Sequence, residues 1–157
     1  MTTVTPTYRA WQRLPGNMLG SILFSVGMCA RVSYFASVLP RVVALEPGRC
    51  EVRAPKWWGV RNHIGTFHAI AACNLAEAAM GMLAEATVPP THRWIPKAMH
   101  TQYLTKASTG LRAVAELPTV PEFGDTEGVD LVVPVSILDR AGVEVVHADI
   151  TVWVTPA

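Results

Sequence analysis

Between Met18 and Ala30 the apolar positions recur every three or four residues, with Met18, Ile22, Val26 and Cys29 in one series and Leu19, Leu23 and Val26 in another. Asn17, following Pro15-Gly16, is placed to cap such a segment. The spacing predicts an amphipathic helix over 17–37 that packs these positions against the body of the protein. After Pro40 the period drops to two. Val42 to Leu45 reads as a short strand, and Glu46-Pro47-Gly48 as a turn. From Arg49 to Ala54, Cys50, Val52 and Ala54 alternate with Arg49, Glu51 and Arg53, the pattern of a half-buried antiparallel strand that Pro55 ends.

The stretch from Asn62 to Ala86 is different. A polar turn with asparagine, histidine and glycine leads into an alanine-rich run containing Leu75, Met80, Met82 and Leu83. Leaving His68 aside, Glu77 is its one charged side chain between Thr66 and Ala84. A helix apolar on all sides is normally enclosed by other structure. A carboxylate inside one is costly unless it finds a partner or its pKa rises.

Val88-Pro89-Pro90 stops this helix. The remainder of the chain reads as strands over 93–106, over 109–117 with Leu111, Ala113, Ala115 and Leu117 on one face, over 129–137, and over 143–154. Asp139 to Gly142 is a hairpin turn. The apolar phase of the last strand shifts near Val145-Val146, which predicts a bulge, and Pro134 predicts an edge or a bulge in its own strand. The expected fold class is α+β: an antiparallel sheet of about six strands wrapped around a long central helix, with an N-terminal helix. We expect a single domain over 1–157, with a helical segment at 1–40 and the core at 41–157.

Composition narrows the function classes. Half of the 157 residues are hydrophobic and 16% are charged, so the chain buries much of its length and is not disordered. The net charge of +1, with scattered Lys and Arg, gives no nucleic-acid footprint. Cys29, Cys50 and Cys73 form no CxxC, and read as reduced thiols of a cytoplasmic protein. The histidines show no HxH or HExxH spacing, so no metal site is expected. Arg9 and Arg13 ahead of an apolar run superficially suggest a signal peptide, but Arg31 breaks the run short of bilayer length, and no membrane span is expected.

The order of elements and the motif Asn62, Gly65, His68, Leu75, Glu77 resemble the hot-dog fold, and within it the PaaI-like thioesterase branch. That branch carries Asn, two residues, Gly, two residues, His-Gly-Gly, then a leucine and an acid along the helix. The chain is similar also to a largely uncharacterised hot-dog subgroup. Two positions depart from the pattern: Ala69-Ile70 replaces Gly-Gly, so that a side chain stands where the backbone normally meets substrate, and the acid is Glu rather than Asp. The resemblance implies hydrolysis of an acyl thioester, acyl-CoA in the first instance, with no cofactor beyond the CoA of the substrate.

Chemically, a buried helix start offers free N–H groups and the positive end of a dipole. Gly65 to Ala69 lie there, and an N–H near Ala69 is the candidate oxyanion donor. An ordinary helix start capped by Thr66 explains the same residues. Glu77 follows by roughly 12–15 Å of helical rise, too far to serve the same carbonyl within one subunit. By resemblance the site lies between subunits, so the enzyme reading requires a homodimer or tetramer, with Glu77 as general base or nucleophile and its pKa raised by burial. A carboxylate bonded to Asn74, or across a dimer interface, is the structural alternative. Asn62 either positions the attacking water or holds its loop. His68 bonds backbone or the thioester region. Trp57 and Trp58, with Ile70, are candidates to line the acyl site, or are plain core and interface aromatics. The runner-up function is a non-catalytic acyl- or lipid-binding protein. A hydratase is disfavoured, because Val60 and Gly65 stand where MaoC-type hydratases carry Asp and His.

Overall fold

A computed structural model describes residues 4–157. The chain begins with two helices, α1 (Pro6–Arg13) and α2 (Met18–Arg31), and a 3-10 helix, Ser33–Val38. Strands β1 (Arg41–Glu46) and β2 (Arg49–Ala54) come next, then the long helix α3 (Ala69–Thr87), and then β3 (His92–Tyr103), β4 (Leu111–Glu116), β5 (Val129–Leu138) and β6 (Glu144–Pro156). All six strands form one sheet in the order β1-β2-β4-β5-β6-β3, every pair antiparallel. The sheet curls around α3, and the architecture is the hot-dog fold expected from the order of elements.

Enclosure of α3 makes the core. Leu75, Met80 and Leu83 are wholly buried against Val52, Val133, Val135, Ile137 and Ile150 of the sheet. By length and composition α3 would also cross a membrane, but 67% of its apolar window is buried within the protein, as befits a core helix.

Local chemistry sets the turns. Pro47-Gly48 joins β1 to β2 with Gly48 at φ +83°, a conformation that favours glycine, and the Gly48 N–H donates to Thr87 Oγ1 at 2.9 Å. At the hairpin after β5, Asp139 Oδ1 accepts from the N–H groups of Ala141 and Val143. The bulge expected near Val145 is present: Ile137 pairs with Val146 and Leu138 with Glu144, so Val145 is the extra residue. Pro134 lies in an interior strand, at the point where pairing to β4 ends with Val135. From there to Val129, β5 has a neighbour on one side only, and Pro134 needs no second partner.

The N-terminal segment departs from the expectation of one helix over 17–37. Asn17 does cap, its Oδ1 accepting from the Gly20 N–H, but α2 ends at Arg31 and gives way at Val32 to a 3-10 helix. A separate α1 precedes it, capped by Thr5 with Pro6 at its start. The packed face is also the opposite one. Met18, Leu19, Ile22, Leu23 and Val26 are exposed, while Gly20, Ser21, Phe24, Ser25 and Met28 face inward. The reason is polar. Val42 of the edge strand β1 is bonded through its C=O to Ser21 Oγ and through its N–H to Ser25 Oγ, so the serines of α2 cover a sheet edge. Gly20 allows close approach, since a Cβ there would overlap the Pro15 carbonyl.

Candidate active site

Helix α3 starts at Ala69, two residues later than a Thr66 cap would give. Phe67 is buried and donates its N–H to the Ala107 carbonyl at 2.8 Å, and His68 donates its own to the Val60 carbonyl at 2.7 Å. These bonds hold Phe67 and His68 extended. His68 is therefore the cap, its Nδ1 accepting from the Ile70 N–H at 3.1 Å. Nδ1 as acceptor places the proton of the neutral ring on Nε2. The N–H groups of Ala69 and Ala71 precede the first intrahelical bond, from Ala72 to the His68 carbonyl, and find no acceptor among the described residues.

Asn62 holds the loop in front of this helix. Its Oδ1 accepts from the N–H groups of Ile64 and Thr66, and its Nδ2 donates to Thr66 Oγ1 at 2.7 Å. Gly65 occupies φ +77°, and its carbonyl accepts from Lys56 Nζ at 3.1 Å. Of the two alternatives for Asn62, this geometry supports the loop-holding one.

Glu77 lies two turns into α3 and is half-buried. Asn74 does not reach it, because Asn74 Nδ2 donates to the Tyr34 carbonyl and to Ser37 Oγ. Among the described residues, the Glu77 carboxylate has no hydrogen bond and no ion pair. It lines a cavity of about 560 Å³ whose walls are α1, α2, the 3-10 helix, α3 and the start of β3. From Ala69 to Glu77 is eight residues, about 12 Å of rise, so the free amides and the carboxylate are separate features of one subunit.

The remaining expected residues lie elsewhere. Trp57 stacks over Gly59 and meets Trp58 edge-on at 5.1 Å between centroids. The Trp57 Nε1 is buried without a hydrogen-bond partner among the described residues, and Trp58 is 79% exposed. Ile70 is exposed beside the free amides. None of the three lines the cavity at Glu77. The residues that do, and that periodicity and motif did not single out, include Thr7, Arg31, Gly81, Glu85 and Trp94. One signal was available, since Glu77, Gly81 and Glu85 fall four residues apart on one helical face.

Charge gathers in a second place. Arg41, Arg53, Arg112 and Arg140 line a cleft of about 770 Å³ beside β1, β2 and β4. Beneath it the buried Glu51 carboxylate accepts from Arg53 Nε and Nη2 at 3.1 and 3.0 Å and from Arg112 Nη1 at 3.4 Å. Lys97 is committed to Asp130 at 2.8 Å and lies over the Trp153 ring.

Residues 20–154 match the family model described as a domain of unknown function, DUF4442. The chain belongs to this family. No curated protein matches this member of DUF4442. A crystal structure solved as a genomics target is 40% identical to it, covers 96% of both chains and superposes with a TM-score of 0.80. PA5026 of Pseudomonas aeruginosa, described as a probable thioesterase, is 23% identical over 82% of this chain and 91% of its own, with a TM-score of 0.75. The thioesterase HI1161 of Haemophilus influenzae is 14% identical over 83% of this chain and 87% of its own, with a TM-score of 0.70. At these lower identities the likeness is one of fold, and it is the hot-dog fold.

Proposed function

We propose that this DUF4442 protein hydrolyses acyl thioesters, acyl-CoA in the first instance, in the cytoplasm. The observation that carries the reading is the unpartnered Glu77 carboxylate facing an apolar cavity on the core helix of a fold shared with thioesterases. A carboxylate so placed suits general-base or nucleophilic work on a carbonyl. The free amides of Ala69 and Ala71 are the matching oxyanion donors. Separation within one subunit requires that Glu77 work with Ala69 of the partner subunit. Two features support a dimer through β3: it is an edge strand whose outer side has no strand neighbour among the described residues, and it exposes Ile95, Met99 and Tyr103. Asn62 and His68 serve this site by fixing the loop and the first turn of α3, and the substrate is the sole source of CoA.

One observation favours the second reading, an acyl binder without catalysis. Ile70 stands exposed beside the amides that a substrate carbonyl would have to reach. Thiol release from a series of acyl-CoA esters, compared for the native chain and Glu77→Gln, decides between them. We expect hydrolysis that the substitution lowers by on the order of a hundredfold or more. Equal rates in both, or none in either, overturn the Glu77-dependent hydrolase and favour the binder.

A further inference from the structure

We propose that the cavity between the N-terminal helices and α3 is an acyl pocket built within one subunit, and that it takes an unbranched aliphatic chain of about eight to ten carbons. This rests on the acyl-thioester reading of Glu77 but extends it to the class of acyl group. The walls are apolar and adaptable: Leu14, Phe24, Met28 and Phe35 from the N-terminal side, Met80 and Trp94 from the core side. Polar groups stand only towards its two ends.

The ends can be told apart. Asn74, one turn before Glu77, bonds to Tyr34 and Ser37, so the end of α2 and the 3-10 helix lie beside Glu77. Arg31 lines the cavity there and has no ion pair among the described residues, which suits the anionic carrier of a thioester. At the other end Thr7 Oγ1 donates to Glu85 Oε2 at 2.9 Å, and both residues of this bonded pair line the cavity. Between Glu77 and Glu85 the floor is Gly81, whose missing side chain opens the cavity under Trp94. Eight residues of helix give about 12 Å from one carboxylate to the other. An extended chain advances about 1.25 Å per carbon, from bonds of about 1.52 Å at about 111°, so eight to ten carbons span that length. The acyl end is occupied by the Thr7–Glu85 bond and the walls leading to it are apolar, which is why an aliphatic chain is preferred to a hydroxylated aromatic ring.

Two glycines face the cavity from opposite walls, and each allows a test that tolerates folding. A Cβ at Gly81 lies 3.6 Å from Trp94 Cη2, an ordinary contact, and a Cβ at Gly27 of α2 meets nothing within 4 Å. Gly81→Leu and Gly27→Leu each shorten the pocket, with native folding checked by circular dichroism and thermal melting. Hydrolysis of acyl-CoA esters from butanoyl to hexadecanoyl, with benzoyl-CoA as the aromatic comparison, is measured beside equilibrium binding of the S-alkyl-CoA thioethers of the same lengths. The expected result is a native optimum at octanoyl to decanoyl. Each variant moves it to shorter chains, with a loss on the order of tenfold for each methylene excluded. Hydrolysis whose length profile neither folded variant changes, or a preference for benzoyl-CoA, overturns the pocket and leaves the hydrolase reading standing. Thioether binding with the same length dependence and the same shifts, but no hydrolysis by the native chain, upholds the pocket and overturns the hydrolase. Absence of both binding and hydrolysis overturns both.

Discussion

Thr7 Oγ1 and Glu85 Oε2 are 2.9 Å apart, tying the first helix to the last turn of the core helix across 78 residues of sequence. Tyr8 and Trp11 of the same helix, and Leu14 just after it, add apolar contacts to the core. A half-buried hydrogen bond of this kind contributes about 1 kcal/mol. Thr7→Val, which keeps the shape and removes the donor, should lower the urea midpoint accordingly without changing the slope. An unchanged midpoint would show that apolar contacts alone hold α1 in place.

Gly65 adopts φ +77°, and a Cβ there would meet no atom within 4 Å. The cost of Gly65→Ala is therefore one of backbone conformation, about 1–2 kcal/mol. Gly65→Asn should cost less, because asparagine tolerates the left-handed region. The order of the two melting temperatures checks this, and asparagine melting below alanine would contradict it.

On β6, His147 Nδ1 and Glu144 Oε1 are 2.7 Å apart, with Asp149 Oδ1 3.6 Å from the other ring nitrogen. The hydrogen bond to Glu144 holds the imidazole above its ordinary 6.5, and the same bond holds the Glu144 carboxyl below its ordinary 4.5. Stability from His147 is complete below pH 6.5 and is lost as pH rises through the raised value. Stability from Glu144 is present above pH 4.5 and is lost as pH falls through the lowered one. The pair thus stabilises across the interval between them, by less than about 1 kcal/mol at so exposed a site. An NMR titration should place His147 above an ordinary imidazole and show it moving down in Glu144→Gln. A native His147 that titrates at or below 6.5 would refute the assignment.

All three cysteines are free. Cys50 is wholly buried, and burial drives its thiol far above the ordinary range, so it presents neither access nor thiolate. Cys29 is half-buried with its thiol also raised by burial, while Cys73 is half-exposed beside Tyr103 at 3.4 Å. A thiol-specific disulfide reagent should titrate Cys73 and then Cys29 in the native protein, and Cys50 only in denaturant. Labelling of Cys50 in the folded chain, located by peptide mapping, would contradict the packing described.

The proposed dimer makes its own prediction. Met99→Asp and Tyr103→Asp place charge on the exposed face of the edge strand β3 without touching the core. Sedimentation should show a native dimer that the paired substitutions convert to monomer, with loss of any thioester hydrolysis. A native chain that is monomeric at micromolar concentration removes the shared site.

The sequence carried the core of the fold because that part depends on periodicity alone. Alternation from Arg49 to Ala54 and over 129–137, and an apolar run between a polar turn and Pro89-Pro90, describe elements whose partners need not be known. The bulge at Val145 was legible for the same reason, as a change of phase. Glu77 stood out simply as a charge among alanines.

The tertiary structure alone decided where α3 begins, which face of α2 is buried and what Glu77 looks at. Phe67 and His68 stay extended because Ala107 and Val60, distant or across a turn, accept their N–H groups. Serines outrank leucines on α2 because an edge strand has unpaired backbone groups that only polar atoms can satisfy. The cavity belongs to five elements at once, and no pattern along one of them describes it. Repeating side-chain character fixes an element from within, whereas a bond or a void between distant segments exists only once the chain has closed on itself.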